Sequence, residues 1–128
     1  MVLTGTLLTL NINTKKLHKI NNKRRIFYCP VDYAFQKVGG KYKARILWYL
    51  RDSTCRFGEL KRLVEGISPK MLAQSLKELE EDNLVDKKVF VELPPRVEYT
   101  ITPTGLELIP AIDSMRLWAE NQLYGVIL

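Results

Sequence analysis

Lys70, Gln74 and Lys77 are spaced four and then three residues apart in the run Ser68-Pro69-Lys70-Met71-Leu72-Ala73-Gln74-Ser75-Leu76-Lys77. On a helix, that spacing lines up an amide and two ammonium groups along one face. Such groups reach base edges in a major groove, and a small residue such as Ala73 allows close approach. Leu72, Leu76 and Leu79 fall roughly 150° away, at about 100° per residue, and predict a core-facing side. Ser68 suits the N-cap, and Pro69 suits the first helical position, where no N–H is needed. An ordinary amphipathic helix with a solvated face shows the same pattern. Its neighbours in the chain decide between the two.

A β-ribbon follows the helix directly. Residues 84–91 alternate loosely, with Val85, Val89 and Val91 as strand formers, and Val97-Glu98-Tyr99-Thr100-Ile101 alternates cleanly. Glu92-Leu93-Pro94-Pro95-Arg96 joins them as a stiff tip that cannot extend the ladder. Lys87, Lys88 and Arg96 make the ribbon cationic, as a ribbon lying on phosphates or in a minor groove requires. Arg96 also has Glu92 and Glu98 within reach as local partners. Upstream, Arg56 and Phe57 open a short helix running to Val64, with Phe57, Leu60 and Val64 on its buried side, and Glu65-Gly66-Ile67 forms a turn. Helix, turn, helix, then ribbon is the order that places the second helix in a major groove.

The wider pattern resembles the HxlR-type winged helix-turn-helix regulators, a branch of the MarR-like group. The matching pieces are Cys29-Pro30-Val31, Gly39-Gly40-Lys41-Tyr42-Lys43 with Ile46-Leu47-Trp48-Tyr49-Leu50, and Arg56-Phe57 with Glu59-Leu60. Ile67-Ser68-Pro69-Lys70-Met71-Leu72 with Leu76, Leu79 and Glu80, then Pro94-Pro95-Arg96-Val97-Glu98-Tyr99, then Thr102 with Thr104-Gly105 complete the set. They cover about residues 28–118 in order. The resemblance implies a dimeric DNA-binding repressor or activator. It also implies a role for Cys29, since some members of that family sense oxidants or electrophiles through a cysteine at the matching position.

Composition sets the frame. A chain of 128 residues, 46% hydrophobic and 9% aromatic, suits one globular domain with a modest core. The net charge of +6 is uneven: residues 11–51 hold eleven Lys and Arg against Asp32 alone, whereas the remainder to residue 128 is net acidic. A basic surface favours a polyanion. Residues 1–27 read as a basic extension of unknown order. Their first ten residues are apolar but too short for a membrane span. The charges follow that stretch, which is the wrong order for a signal peptide. Two cysteines and no export signal point to a reducing cytoplasm.

Gly39-Gly40-Lys41 lacks the phosphate-loop pattern, follows a helix rather than a strand, and reads as a helix corner. His18 stands alone, so neither a metal site nor a catalytic triad forms around it. The acid run Glu78, Glu80, Glu81 and Asp82 reads as a solvated face or ion pairs. No cofactor, metal or catalytic residue is expected. Cys29 lies just before a predicted helix, where the dipole favours a thiolate and Lys23, Arg24 and Arg25 add to it, while Asp32 opposes it. An inert, partly packed thiol is the alternative.

The expected protein is mainly α with a small β-wing: a winged helix-turn-helix over residues 28–128, with a C-terminal dimerisation helix at about 103–124. A first helix spans Val31 to Val38 and is closed by Gly39-Gly40. A second runs from Lys41 to Arg51 with Ala44, Leu47, Trp48 and Leu50 inward. The last starts near Thr102-Pro103-Thr104, with Thr104 and Glu107 as a capping box, and runs to about Tyr124. Its apolar residues exceed one stripe. Leu108, Ile112, Met115, Trp118 and Ala119 are therefore expected at a homodimer interface. Ser68, Lys70, Met71, Gln74 and Lys77 are expected in the groove of double-stranded DNA. Lys41, Lys43, Arg56, Lys87, Lys88 and Arg96 are expected on phosphates and at the wing, with Lys77 shared between base edges and phosphates. A sequence-tolerant architectural binder and a protein-interaction module of the same fold remain as other readings.

Overall fold

A computed structural model describes residues 29–125. The basic run of residues 15–25, and with it His18, Lys23, Arg24 and Arg25, lies outside the described residues. Among the described residues six helices and three strands follow one another: α1 (Pro30–Val38), α2 (Lys43–Leu50), β1 (Cys55–Arg56), α3 (Phe57–Leu63), α4 (Pro69–Glu81), β2 (Val85–Phe90), β3 (Arg96–Ile101), α5 (Pro103–Leu106) and α6 (Ile109–Tyr124). The strands form one antiparallel sheet in the order β1-β3-β2. Tyr99 faces Cys55 on one side and Lys87 on the other, and Phe90 faces Arg96 at the tip. This is the expected mainly helical architecture with a small wing.

From Lys37 onward the fold is organised on one core. Ile46, Leu47 and Leu50 of α2 meet Leu60, Val64 and Ile67 of the helix-turn region and Leu72, Leu76 and Leu79 of α4. The three leucines of α4 are at most 1% exposed, so the leucine face read from the sequence is the buried one. Ile46 is fully buried as well, and was not anticipated. Ala44 and Trp48, expected inward, are only half-buried. The Arg51 guanidinium covers the Trp48 ring at 3.8 Å and screens it from water. Phe57, expected on the buried side of α3, is half-buried and packs on the edge of the core. Taken by itself, α1 is a two-turn helix with Val31 and Phe35 exposed one turn apart.

Local chemistry fixes the element ends. Gly40 adopts φ +89° just past α1, a left-handed backbone that glycine tolerates without penalty. Asn83 does the same at φ 59° after α4. Its N–H donates to the Glu80 carbonyl and that of Leu84 to the Leu79 carbonyl, a Schellman closure that hands the chain directly to β2.

The C-terminal helix is not continuous. A short α5 ends at Leu106 and α6 begins at Ile109. Pro110 lacks the N–H that would donate to the Leu106 carbonyl, and the turn tightens so that Leu108 N–H donates to Gly105 instead. The cap also differs from the Thr104–Glu107 box. Thr102 is the N-cap: its hydroxyl accepts from Gly105 N–H at 2.9 Å and donates to the Asn83 carbonyl at 2.8 Å. Thr102 is buried, so this double use also satisfies its hydroxyl.

Candidate nucleic-acid interface

Helix α4 is held by its ends and from behind. Ser68 Oγ accepts from Met71 N–H at 3.1 Å, and Pro69 occupies the first turn. The turn before it is braced by α2: Tyr42 Oη donates to the Gly66 carbonyl at 3.3 Å, and Arg45 Nη2 donates to the Glu65 carbonyl at 3.1 Å. These two residues occupy carbonyls that a helix end otherwise leaves to water. The bracing role of neither is legible in the sequence, because their partners lie in a different element. Lys37 ties the last turn of α1 to Asp82 at the end of α4 at 3.0 Å.

With its leucines buried, α4 turns Ser68, Lys70, Met71, Ala73, Gln74 and Lys77 outward, all exposed. The five residues expected in the groove therefore share one accessible side. Ser68 contributes there mainly as the cap. Gln74 is not loose: its Nε2 donates to Glu78 Oε2 at 2.5 Å. Glu78 Oε1 in turn receives Lys43 Nζ at 2.6 Å. The Glu78 carboxyl is held below its ordinary value, first by the Lys43 contact and then by the Gln74 amide. Lys43, expected on phosphate, is engaged here with Glu78. Its side chain is only 15% exposed because it lies across to α4 and spends its charge on Glu78.

The cations expected at phosphates lie on several elements. Lys41 is exposed beside the Tyr42 ring, 5.5 Å from its centroid. Arg56 is exposed at the start of α3, where its backbone N–H donates to Glu59 Oε1 at 2.8 Å. Lys87 and Lys88 are exposed on β2. Arg96 is engaged within the wing. Its Nε lies 3.3 Å from a carboxylate oxygen of both Glu92 and Glu98, an ion contact without hydrogen-bond alignment. Its guanidinium stacks 3.9 Å over the Phe90 ring. The local pairing open to Arg96 in the sequence is therefore the one present, and it stiffens the strand ends. Val91 and Leu93 beyond it are fully exposed at the tip.

On α6, the expected interface residues divide into two groups. Leu108 and Ile112 pack against the core of their own chain, while Met115 and Trp118 are exposed and Ala119 is half-covered. Leu117, Leu123 and Tyr124 join the outward group. Arg116 is bound by Asp113 and Glu120 and lies 5.8 Å from the Trp48 ring, which anchors α6 on α2. Cys29 is exposed and Cys55 is buried; burial raises the Cys55 thiol above its ordinary pKa. Among the described residues no His, Cys, Asp and Glu cluster that would hold a metal occurs, and no helix is long and apolar enough to cross a membrane.

A family model described as HxlR-like helix-turn-helix matches residues 37–125. The protein designated regulatory protein MalR in Fusobacterium mortiferum is 42% identical over 100 residues, covering 77% of this chain and 94% of that one. The redox regulator HypR in its oxidized form is similar in structure at TM-score 0.69 and 36% identity, over 73% of this chain and 96% of HypR. The reduced transcriptional regulator YodB from B. subtilis gives TM-score 0.66 at 34% identity, over 79% of this chain and all of YodB.

Proposed function

This chain belongs to the HxlR-like helix-turn-helix family of transcriptional regulators, and on that premise we propose that it is a sequence-specific repressor binding a pseudo-palindromic operator as a homodimer in the cytoplasm. The observation that carries this reading is the exposed Lys70, Met71, Ala73, Gln74 and Lys77 face over the buried leucines of α4, with a cationic wing following it. Each copy would set α4 in a major groove. Two copies would meet successive grooves about 34 Å apart. Gln74 and Lys70 would discriminate bases, Lys77, Lys41, Arg56, Lys87 and Lys88 would hold phosphates, and Arg96 would keep the wing in shape. Residues 28–128 form the binding and dimerisation module, with residues 1–27 as a basic extension.

The homodimer is proposed through α6. Met115, Leu117, Trp118, Leu123 and Tyr124 leave an apolar surface larger than isolated exposed residues account for. Leu108, Ile112 and Ala119 support it from the core side. A Trp118→Arg variant is expected to run as a monomer in light scattering while retaining its helical circular dichroism. Cys29, exposed ahead of α1, is proposed as the thiol that answers oxidants or electrophiles. The redox regulator HypR among the similar structures supports that reading.

The test is Gln74→Ala against a selected operator. The variant should relax preference at one or two base positions and cost about 1–3 kcal/mol on the specific site. Uniform weakening on all sequences would show that Gln74 is not a reader.

A further inference from the structure

Glu78 faces two ways. One carboxylate oxygen receives Lys43 Nζ from α2 at 2.6 Å, and the other receives Gln74 Nε2 one turn back along α4 at 2.5 Å. The amide orientation follows from chemistry rather than from fine geometry. An ionised carboxylate has no proton to donate, so only the NH2 end of Gln74 can face it. Lys43, 15% exposed at its side chain, keeps Glu78 ionised and fixed in place. With one N–H committed to Glu78, Gln74 has left one N–H donor and its carbonyl oxygen as acceptor.

That remaining pair matches one base edge. Adenine offers an N6 donor and an N7 acceptor in the major groove, complementary to one acceptor and one donor on the amide. Guanine offers two acceptors, N7 and O6, and needs two donors that a Gln74 bound to Glu78 no longer has. We propose that Glu78, clamped by Lys43, is a specificity-determining positioning residue that sets Gln74 to read adenine and reject guanine. The inference rests on the reading of Gln74 as a base reader. It assigns Lys43 to base selection at one remove.

Glu78 also brings a negative charge close to the phosphates, so removing that charge should tighten binding to all DNA. Discrimination at one position is therefore the informative readout, not affinity. Wild type, Gln74→Ala, Glu78→Gln and Lys43→Met proteins would each be taken through selection from random duplex DNA and sequencing, with thermal melts as a folding check. Wild type should enrich adenine at the position whose preference Gln74→Ala abolishes. Glu78→Gln, which can present either end of its own amide, should lower the adenine-over-guanine preference there by roughly tenfold and leave other positions unchanged. Lys43→Met should shift the same position in the same direction. The double variant Gln74→Ala with Glu78→Gln should lose no more than Gln74→Ala alone, as two residues acting through one contact do. Should Gln74→Ala relax a position where Glu78→Gln keeps full preference, or should that position select guanine, the positioning role is overturned while the reader survives. Should Gln74→Ala relax no position, both fall.

Discussion

Lys43 Nζ on α2 sits 2.6 Å from Glu78 Oε1 on α4, joining the helix behind the motif to the second helix of the motif. The contact ties α4 to α2 alongside the buried leucines. It also has a pH signature. The Glu78 carboxyl is depressed, chiefly by Lys43 and then by Gln74. A depressed carboxylate contributes its stability above the unfolded value and loses it as pH falls through the folded one. The pair is partly exposed, at 38% for the Glu78 side chain, so screening keeps the effect small. Glu78→Gln should therefore cost up to about 1 kcal/mol near neutral pH, and the difference should shrink as pH falls below the ordinary glutamate range and close once it passes the depressed folded value. Denaturant melts at a series of pH values check this. A gap that stays constant into acid would mean the pair does not form in solution.

The wing is hung from the body at a glycine. Gly105 is buried, and a methyl group there would collide with the Leu84 carbonyl oxygen and Ile101 Cγ1. Backbone at Leu84 cannot yield, because its carbonyl already accepts from Thr102 N–H at 3.1 Å. Gly105→Ala should destabilise the protein by about 1–3 kcal/mol through overpacking. Chemical denaturation measures it; an unchanged midpoint would mean the junction is looser than described.

Two wing cations should behave differently. Lys88 is exposed and 5.0 Å from the Phe90 ring, with no ion pair among the described residues. Lys88→Ala should weaken all sequences alike and flatten the salt dependence of binding by roughly one ion. Arg96 is already compensated by Glu92 and Glu98 and stacked on Phe90. Arg96→Lys loses the planar stack while keeping the charge. It should leave the salt slope nearly unchanged and speed amide exchange at residues 90–96. Equal slopes lost by Lys88→Ala and Arg96→Ala would place Arg96 on phosphate.

The two thiols should separate cleanly. Cys29 is exposed, whereas Cys55 is 4% exposed in the core with its thiol pushed up by burial. A thiolate is the reactive form, and burial opposes it. Iodoacetamide on the native protein should label Cys29 and spare Cys55 until denaturant is added, as peptide mass mapping would show. Faster labelling of Cys55 would contradict the core placement.

What the sequence disclosed and what it hid have physical causes. Leu72, Leu76 and Leu79, the Ser68-Pro69 start and the Val97-Tyr99-Ile101 alternation are local signals, and each holds in the fold. The break at Pro110 was missed because the apolar run continues through it and Pro is tolerated in a first turn. Ile46 was missed because α2 is apolar on most sides, so period alone does not pick the face most deeply buried. Tyr42, Arg45 and Lys43 matter through partners in other elements, Gly66, Glu65 and Glu78, and no local pattern announces such pairs. The outward residues of α4 are legible in the sequence as a face; how Gln74 is held is not.

The most direct test of DNA reading by α4 is selection of bound fragments from random duplex DNA by the purified full chain, with and without reductant. One enriched pseudo-palindrome is expected, with half-sites about a helical turn apart, its binding weakened by mild oxidation in the wild type and not in Cys29→Ser. Salt-sensitive binding with no enriched site, or no binding to DNA at all, would contradict it.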